Sequence, residues 1–266
     1  MSQLEEAARY LRSCGIERPE QDVKLLAAAA AGLPLSKALG APAPEFDPAA
    51  EARFRRYVAR RGEGREPAAY IVGTEEFMGL ELAVSPSVLI PRPSTESLVE
   101  RALPRLGPGR RFLEIGTGSG AVAVALARAG ATGTATDLST DALRLARLNA
   151  ERQGVADRIT FVEADLWADG TFDAVISNPP YVASAEFDTL SPEVLHEPRL
   201  ALDGGADGLA VLRRIVVGAR ARAPLFFLEC APHQCIPLRE LALQSGFRDV
   251  RISKDLDGFD RVVEAE

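Results

Sequence analysis

The chain has 266 residues, 47% of them hydrophobic and 26% charged, with a formal net charge of -7. That length and apolar content are enough for one large domain, or one domain with a small appendage, and they exclude disorder as the default state. The acidic balance is opposite to the basic footprint of a protein that holds a long nucleic-acid backbone.

Charges run through the first thirty residues at Glu5, Glu6, Arg9, Arg12, Glu17, Arg18, Glu20 and Asp22. No uninterrupted apolar stretch is left for a signal peptide or a spanning helix, so a cytoplasmic chain is expected. Residues 1–66 read as a small helical domain. Helices are expected around Leu4–Leu11, across Asp22–Ala31 and from Asp47-Pro48, where Asp as N-cap and Pro at the first helical position form a strong start signal. Gly32-Leu33-Pro34 and the run from Gly40 to Pro44 are expected breakers, with Gly62-Glu63-Gly64 as the stop of the third helix. The third helix carries Arg53, Arg55, Arg56, Arg60 and Arg61, with Arg65 just beyond it. These arginines point around several faces of a helix, which predicts a solvated surface rather than a binding patch.

Residues 67–93 are expected to connect two domains, with a β-hairpin between Tyr70 and Ile90 punctuated by Gly73, Gly79 and Pro86. Ser94 is the expected cap of the helix that follows Pro91-Arg92-Pro93. Residues 94–266 then alternate strands and helices. Strands are expected at Arg111–Ile115, Gly133–Thr136, Ile159–Glu163, Ala174–Ser177, Pro224–Glu229, Asp249–Ser253 and Arg261–Glu264, and helices at about 120–129, 140–153, 207–221 and 234–245. The pattern predicts an α/β, Rossmann-like, largely parallel sheet of seven strands, whose ligands sit beyond the strands' carboxyl ends.

The sequence Glu114-Ile115-Gly116-Thr117-Gly118-Ser119-Gly120 turns from a strand into a helix through glycines that let backbone approach a ligand closely. Alone this loop separates NAD from S-adenosylmethionine (SAM) poorly. Glu114 before the first glycine and Gly120 at the third alternate position favour the methyltransferase form. Asp137 ends the next strand 23 residues beyond Glu114, where a carboxylate accepts both ribose hydroxyls of an adenosine. A turn or N-cap aspartate is the competing role for it. Asp165 and Leu166 end the third strand, placed for the exocyclic amine and the ring of an adenine; Trp167 reads as structural packing.

Asn178-Pro179-Pro180-Tyr181 follows the fourth strand. Two prolines donate no backbone hydrogen bond, so the segment presents carbonyl acceptors in a fixed extended shape. Such a site suits a planar NH2 group. The Asn178 oxygen and the Pro179 carbonyl each take one N–H, and Tyr181 forms an apolar wall. An amide nitrogen is a poor nucleophile, so positioning and acceptor electrostatics lower most of the barrier. Cys14, Cys230 and Cys235 lack metal-knuckle spacing and read as buried or half-buried thiols, and His196 and His233 have no partners at ligand spacing, so no metal is expected.

These motifs, with Tyr70-Ile71-Val72-Gly73, Glu76-Phe77, Val84-Ser85-Pro86, Leu89-Ile90-Pro91-Arg92-Pro93, Glu197-Pro198, Ala201-Leu202, Gly204-Gly205 and Asp260-Arg261-Val262-Val263, closely resemble the HemK/PrmC family, the glutamine methyltransferases of peptide-chain release factors. The resemblance implies a class I SAM-dependent methyltransferase fold and SAM contacts at Gly116–Gly120, Asp137, Leu166 and Asn178. It implies glutamine contacts across Asn178, Pro179, Pro180 and Tyr181, and a substrate glutamine in the Gly-Gly-Gln loop of class 1 release factors. Residues 1–66 are then expected to recognise the substrate protein, because a small pocket cannot select one glutamine among many. The chain departs from the family at Ser94, usually Asp, and at Cys230-Ala231, where a glycine usually follows the acidic Glu229. A ribosomal-protein glutamine methyltransferase, an adenine-N6 methyltransferase and a non-catalytic SAM-binding module remain as alternatives. The acidic charge disfavours the nucleic-acid reading, and the intact Asn178 segment disfavours the non-catalytic one.

Overall fold

The computed structural model describes residues 2–35, 38 and 44–266. It divides into two compact units, one of Met1–Glu75 with Ser191–His196, the other of Glu76–Leu190 with Glu197–Glu266.

The first unit holds α1 (Gln3–Ser13), α2 (Pro19–Ala30), α3 (Pro48–Gly62) and α4 (Ala68–Val72). A capping box opens α1, with the Ser2 hydroxyl accepting from Glu5 N at 3.2 Å and Glu5 Oε2 accepting from Ser2 N at 2.8 Å. The Asp47-Pro48 start of α3 is as expected: Asp47 Oδ1 accepts from Ala50 N at 2.6 Å. The predicted breaker at 40–44 lies, apart from Pro44, outside the described residues. Leu11, Leu26, Phe54, Val58 and Ile71 form the core of this unit.

Arg55 and Arg56 of α3 are exposed, as expected, but its other arginines are not a solvated face. Arg61 is buried, its Nε donating to Asp22 Oδ2 at 2.6 Å and its Nη1 to Glu193 Oε1 at 2.9 Å. Arg65 grips the same Glu193, Arg60 pairs with Glu66, and Arg53 donates to the Ala30 carbonyl. The partners of Arg53, Arg61 and Arg65 come from α2 and from a segment more than a hundred residues downstream, which helical periodicity does not report. Burial alone raises the Glu193 pKa, but the hydrogen bonds from Arg65 and Arg61 outweigh it and hold the group at about 2. A depressed folded pKa stabilises the protein above the unfolded carboxylate range, near pH 4 to 5, and that stability is lost as pH falls towards about 2. Glu193→Gln is therefore expected to lower unfolding free energy at pH 7 by about 2 kcal/mol. Denaturant melts of the two proteins should converge as the pH is lowered; a constant difference down to low pH would exclude the ion pair as its origin.

Tyr70–Val72, expected in the hairpin, is the end of α4 instead. Gly73, at φ 83°, closes that helix by donating its N–H to the Ala69 carbonyl at 2.8 Å, and Ala69, Tyr70 and Ile71 are buried. The hairpin is shorter, β1 (Thr74–Phe77) and β2 (Leu80–Ala83) forming a two-stranded sheet. Its turn, Met78-Gly79, has φ of 53° and 74°, the type I′ geometry that matches strand twist. Met78 N donates to Glu96 Oε1 at 2.6 Å, which steadies a non-glycine residue in that conformation.

The second unit is a seven-stranded sheet in the order β5-β4-β3-β6-β7-β9-β8. Its strands are β3 (Arg111–Ile115), β4 (Thr132–Asp137), β5 (Ile159–Glu163), β6 (Ala174–Ser177), β7 (Leu225–Glu229), β8 (Val250–Lys254) and β9 (Asp260–Ala265). The first five run parallel, and β9 lies antiparallel between β7 and β8. Every residue of β6 and β7 is buried, as continuous apolar runs covered on both faces require. Five helices pack on the sheet: α5 (Pro93–Ala102), α6 (Ala121–Arg128), α7 (Thr140–Arg152), α8 (Ala210–Ala219) and α9 (Cys235–Gln244). The chain moves outwards from β3 through β4 to β5, then returns to β6 on the other side, so the switch point of the sheet lies beside β3. Trp167 is structural, as expected: its ring leaves no room for a Cβ at Gly218 of α8, and the Arg222 guanidinium stacks on it at 4.2 Å.

Ser94 does not cap α5. Arg92 occupies the N-cap position with Pro93 as the first helical residue, so Ser94 already lies in the first turn and its hydroxyl donates to Glu229 Oε1 at 3.0 Å.

Candidate active site

Beyond the carboxyl ends of β3, β4, β5 and β6 lies a cavity of about 240 Å³. Its floor is the glycine loop. Gly116 and Gly118 have φ of 69° and 53°, and a Cβ on either would meet only open space, so bare backbone faces the cavity. Glu114 braces this loop from beneath. Its buried carboxylate accepts from Thr117 Oγ1 at 2.6 Å and from Ala123 N at 3.1 Å, while burial pushes its pKa up to about 8. Gly120 does not line the cavity but packs inwards, where a Cβ would meet Ala146 Cβ at 3.0 Å.

Asp137 stands at the end of β4 on the cavity wall, with Oδ2 accepting from Gly118 N and Oδ1 from Ser139 N, each at 2.9 Å. It therefore fills the turn role that competes with ribose binding in the sequence, and its carboxylate lone pairs can still accept from a ligand as well. Asp165 and Leu166 lie just past β5 and line the cavity, Leu166 with φ 75°; its carbonyl accepts from Thr136 Oγ1 at 2.8 Å. Asp165 is half exposed and paired with Arg214 at 2.8 Å, which lowers its pKa.

Thr117 and Ser119 also line the cavity, as do Asn178, Pro179 and Pro180 from the end of β6. The Asn178 Nδ2 donates to Thr95 Oγ1 at 2.9 Å, leaving Oδ1 as its acceptor. Tyr181 is not among the residues that line the cavity; it is half-buried and packs against the core cluster that holds Leu212 of α8 and Leu238 of α9. Its carbonyl accepts from Gln234 Nε2 at 2.9 Å, and burial, with the nearby Glu229 carboxylate, raises its hydroxyl pKa to about 12.

Several residues of this region carry no local signal in the sequence. Asn149, wholly buried on α7, donates to the carbonyls of Ala83 and Ser119 at 2.9 and 2.8 Å and accepts from Ala83 N at 2.7 Å, tying the hairpin to the glycine loop. Glu197 accepts from Ile90 N at 3.0 Å and pairs with Arg92, fixing the strand-like segment that borders the cavity. Glu229 is wholly buried at the end of β7. Only the polar character of these residues is visible in sequence; their partners lie 30 to 135 positions away. Asn149→Ala strands two buried carbonyls and one buried N–H, so a loss of about 3 kcal/mol in stability is expected. Calorimetric melting checks this, and an unchanged melting temperature would show that Asn149 does not tie the hairpin to the loop.

A braced glycine loop, an acidic second strand end and an Asn-Pro-Pro segment around one cavity at the switch point of this sheet define a class I SAM-dependent methyltransferase. The fold agrees with a solved methyltransferase from Pyrococcus furiosus, at TM-score 0.55 and 19% identity over 81% of this chain and 98% of that one. Residues 3–73 match the PrmC N-terminal domain and residues 93–217 the methyltransferase small domain. The chain is 39% identical to the release factor glutamine methyltransferase of Moorella thermoacetica, over 97% of this chain and 95% of that one. It is 40% identical to that of Geobacter sulfurreducens, over 96% and 92%. The chain belongs to the release factor glutamine methyltransferase family.

Proposed function

We propose that this chain transfers the methyl group of SAM to the side-chain amide nitrogen of the glutamine in the Gly-Gly-Gln motif of class 1 peptide-chain release factors. The observation that carries this reading is the Asn178 carboxamide, whose NH2 is engaged by Thr95 so that its oxygen is the atom offered beside Pro179 at the cavity. An oxygen and a proline carbonyl together suit a planar NH2, which has two protons to give and no proton to accept. SAM supplies an electrophilic methyl group on a sulfonium leaving group. The glycine loop, with space where Cβ atoms would project, holds the methionine portion; Asp137 takes the ribose hydroxyls, and Asp165 and Leu166 border the adenine. Asn178 and Pro179 fix the amide nitrogen in line with the methyl group, and Pro180 shapes the opening. Tyr181, half-buried next to these residues, completes the segment.

Residues 1–66 recognise the release factor, the reaction takes place in the cytoplasm, and the net charge of -7 weighs against a lasting complex with nucleic acid or an anionic membrane surface. Among the described residues no helix is long and apolar enough to cross a membrane. Mass spectrometry of a purified class 1 release factor incubated with the enzyme and labelled SAM tests the proposal. One labelled methyl group on the Gly-Gly-Gln glutamine is expected; a release factor left without label there would overturn it.

A further inference from the structure

The Asn178 side chain can present its oxygen to a substrate amide only if the carboxamide does not flip, and a flipped carboxamide would set NH2 against NH2. Three elements meet behind it. Ser177 at the end of β6 pairs in register with Leu228 of β7, so Asn178 and Glu229 emerge side by side, and the first turn of α5 brings Ser94 and Thr95 against both. An amide nitrogen only donates, so in the 2.9 Å contact Thr95 Oγ1 is the acceptor. The hydroxyl proton of Thr95 must then point elsewhere. Glu229, fully buried beside it, has Oε1 bound by Ser94 at 3.0 Å, while its Oε2 has no hydrogen-bond partner among the described residues and is the acceptor open to that proton. With Glu229 as the acceptor, the chain runs from Glu229 through Thr95 to Asn178.

We propose that Thr95, oriented by Glu229, is a positioning residue that locks the Asn178 carboxamide with its oxygen towards the substrate NH2. The inference rests on the reading of Asn178 as the amide acceptor. Ser94 supports it by satisfying the second face of the carboxylate, which a carboxylic side chain at that position would do only when protonated. Burial raises the Glu229 pKa, and the hydroxyls of Thr95 and Ser94 offset that rise only in part.

Thr95→Val keeps the shape and removes the hydroxyl. Turnover on a glutamine-containing release factor is expected to fall about tenfold or more, with SAM affinity and the substrate KM each changed by less than about threefold. Thr95→Ser should recover most of the loss. In the Asn178→Ala background Thr95→Val should cost nothing further, because the residue acts through Asn178. A second readout needs no substrate. The Asn178 side-chain amide resonances in an NMR spectrum, identified by their disappearance in Asn178→Ala, should shift and exchange faster with solvent in Thr95→Val and shift in Glu229→Gln. Unmoved resonances, undiminished turnover in Thr95→Val, or additive losses in the double variant would each overturn the relay. If the wild-type enzyme methylates no release factor, the functional reading fails instead, and the resonances still decide whether the relay exists.

Discussion

Asn178→Ala should lower turnover by a factor on the order of 100 or more, since misplacing a group at the reacting centre carries a penalty of that scale. The substitution removes the oxygen that holds the amide and leaves the Thr95 hydroxyl without its 2.9 Å donor, while Pro179, Pro180 and the glycine loop stay in place. SAM affinity should change far less, because the cavity surface contributed by Gly116–Ser119, Asp137 and Leu166 is untouched. Asn178→Asp should also be poor. Its carboxylate would place a negative charge beside the cofactor and would face the Thr95 oxygen with no proton to give. Single-turnover methylation with saturating SAM separates chemistry from binding. A folded Asn178→Ala enzyme that methylates the Gly-Gly-Gln glutamine at a near-normal rate would remove the mechanism while leaving the family membership intact.

Asp137→Ala should weaken SAM binding by roughly 1.5 to 3 kcal/mol, the value of a charge-assisted acceptor for the ribose hydroxyls. That corresponds to about a ten- to 150-fold rise in Kd. The same carboxylate holds Gly118 N and Ser139 N, so part of the loss will come from a loosened loop. Asp137→Asn divides the two contributions: its carboxamide oxygen can keep one backbone donor, but its NH2 faces the other and the charge is gone. It is expected to bind between wild type and Asp137→Ala in titration calorimetry. Equal SAM affinity for the wild type and a folded Asp137→Ala would take Asp137 out of the cofactor site.

The alternation of apolar strands with helices, the Asp47-Pro48 start of α3 and the turns at Gly116 and Gly118 are all legible without a structure. They depend on interactions within a few residues: side-chain period, a cap on the next turn, a backbone conformation that only glycine adopts readily. The Asn178-Pro179-Pro180 segment is legible for the same reason, because missing N–H groups are a property of the residues themselves. Tertiary structure decides which groups complete the hydrogen bonds of these local motifs. Tyr181 follows the motif but does not line the cavity, Gly120 packs against Ala146 of α7 instead of lining it, and Ser94 binds Glu229 instead of capping a helix. Arg61 and Arg65, spaced like surface residues, are claimed by a glutamate 132 and 128 positions away. A buried polar group must find a partner wherever the folded chain supplies one, and sequence separation has no bearing on which segment that is. The sequence by itself therefore determined the kind of sheet, the glycine loop beneath the cavity and the Asn178 acceptor beside it. The buried carboxylates and amides that hold that acceptor and that loop in register were decided only when β6, β7, α5 and α7 came together.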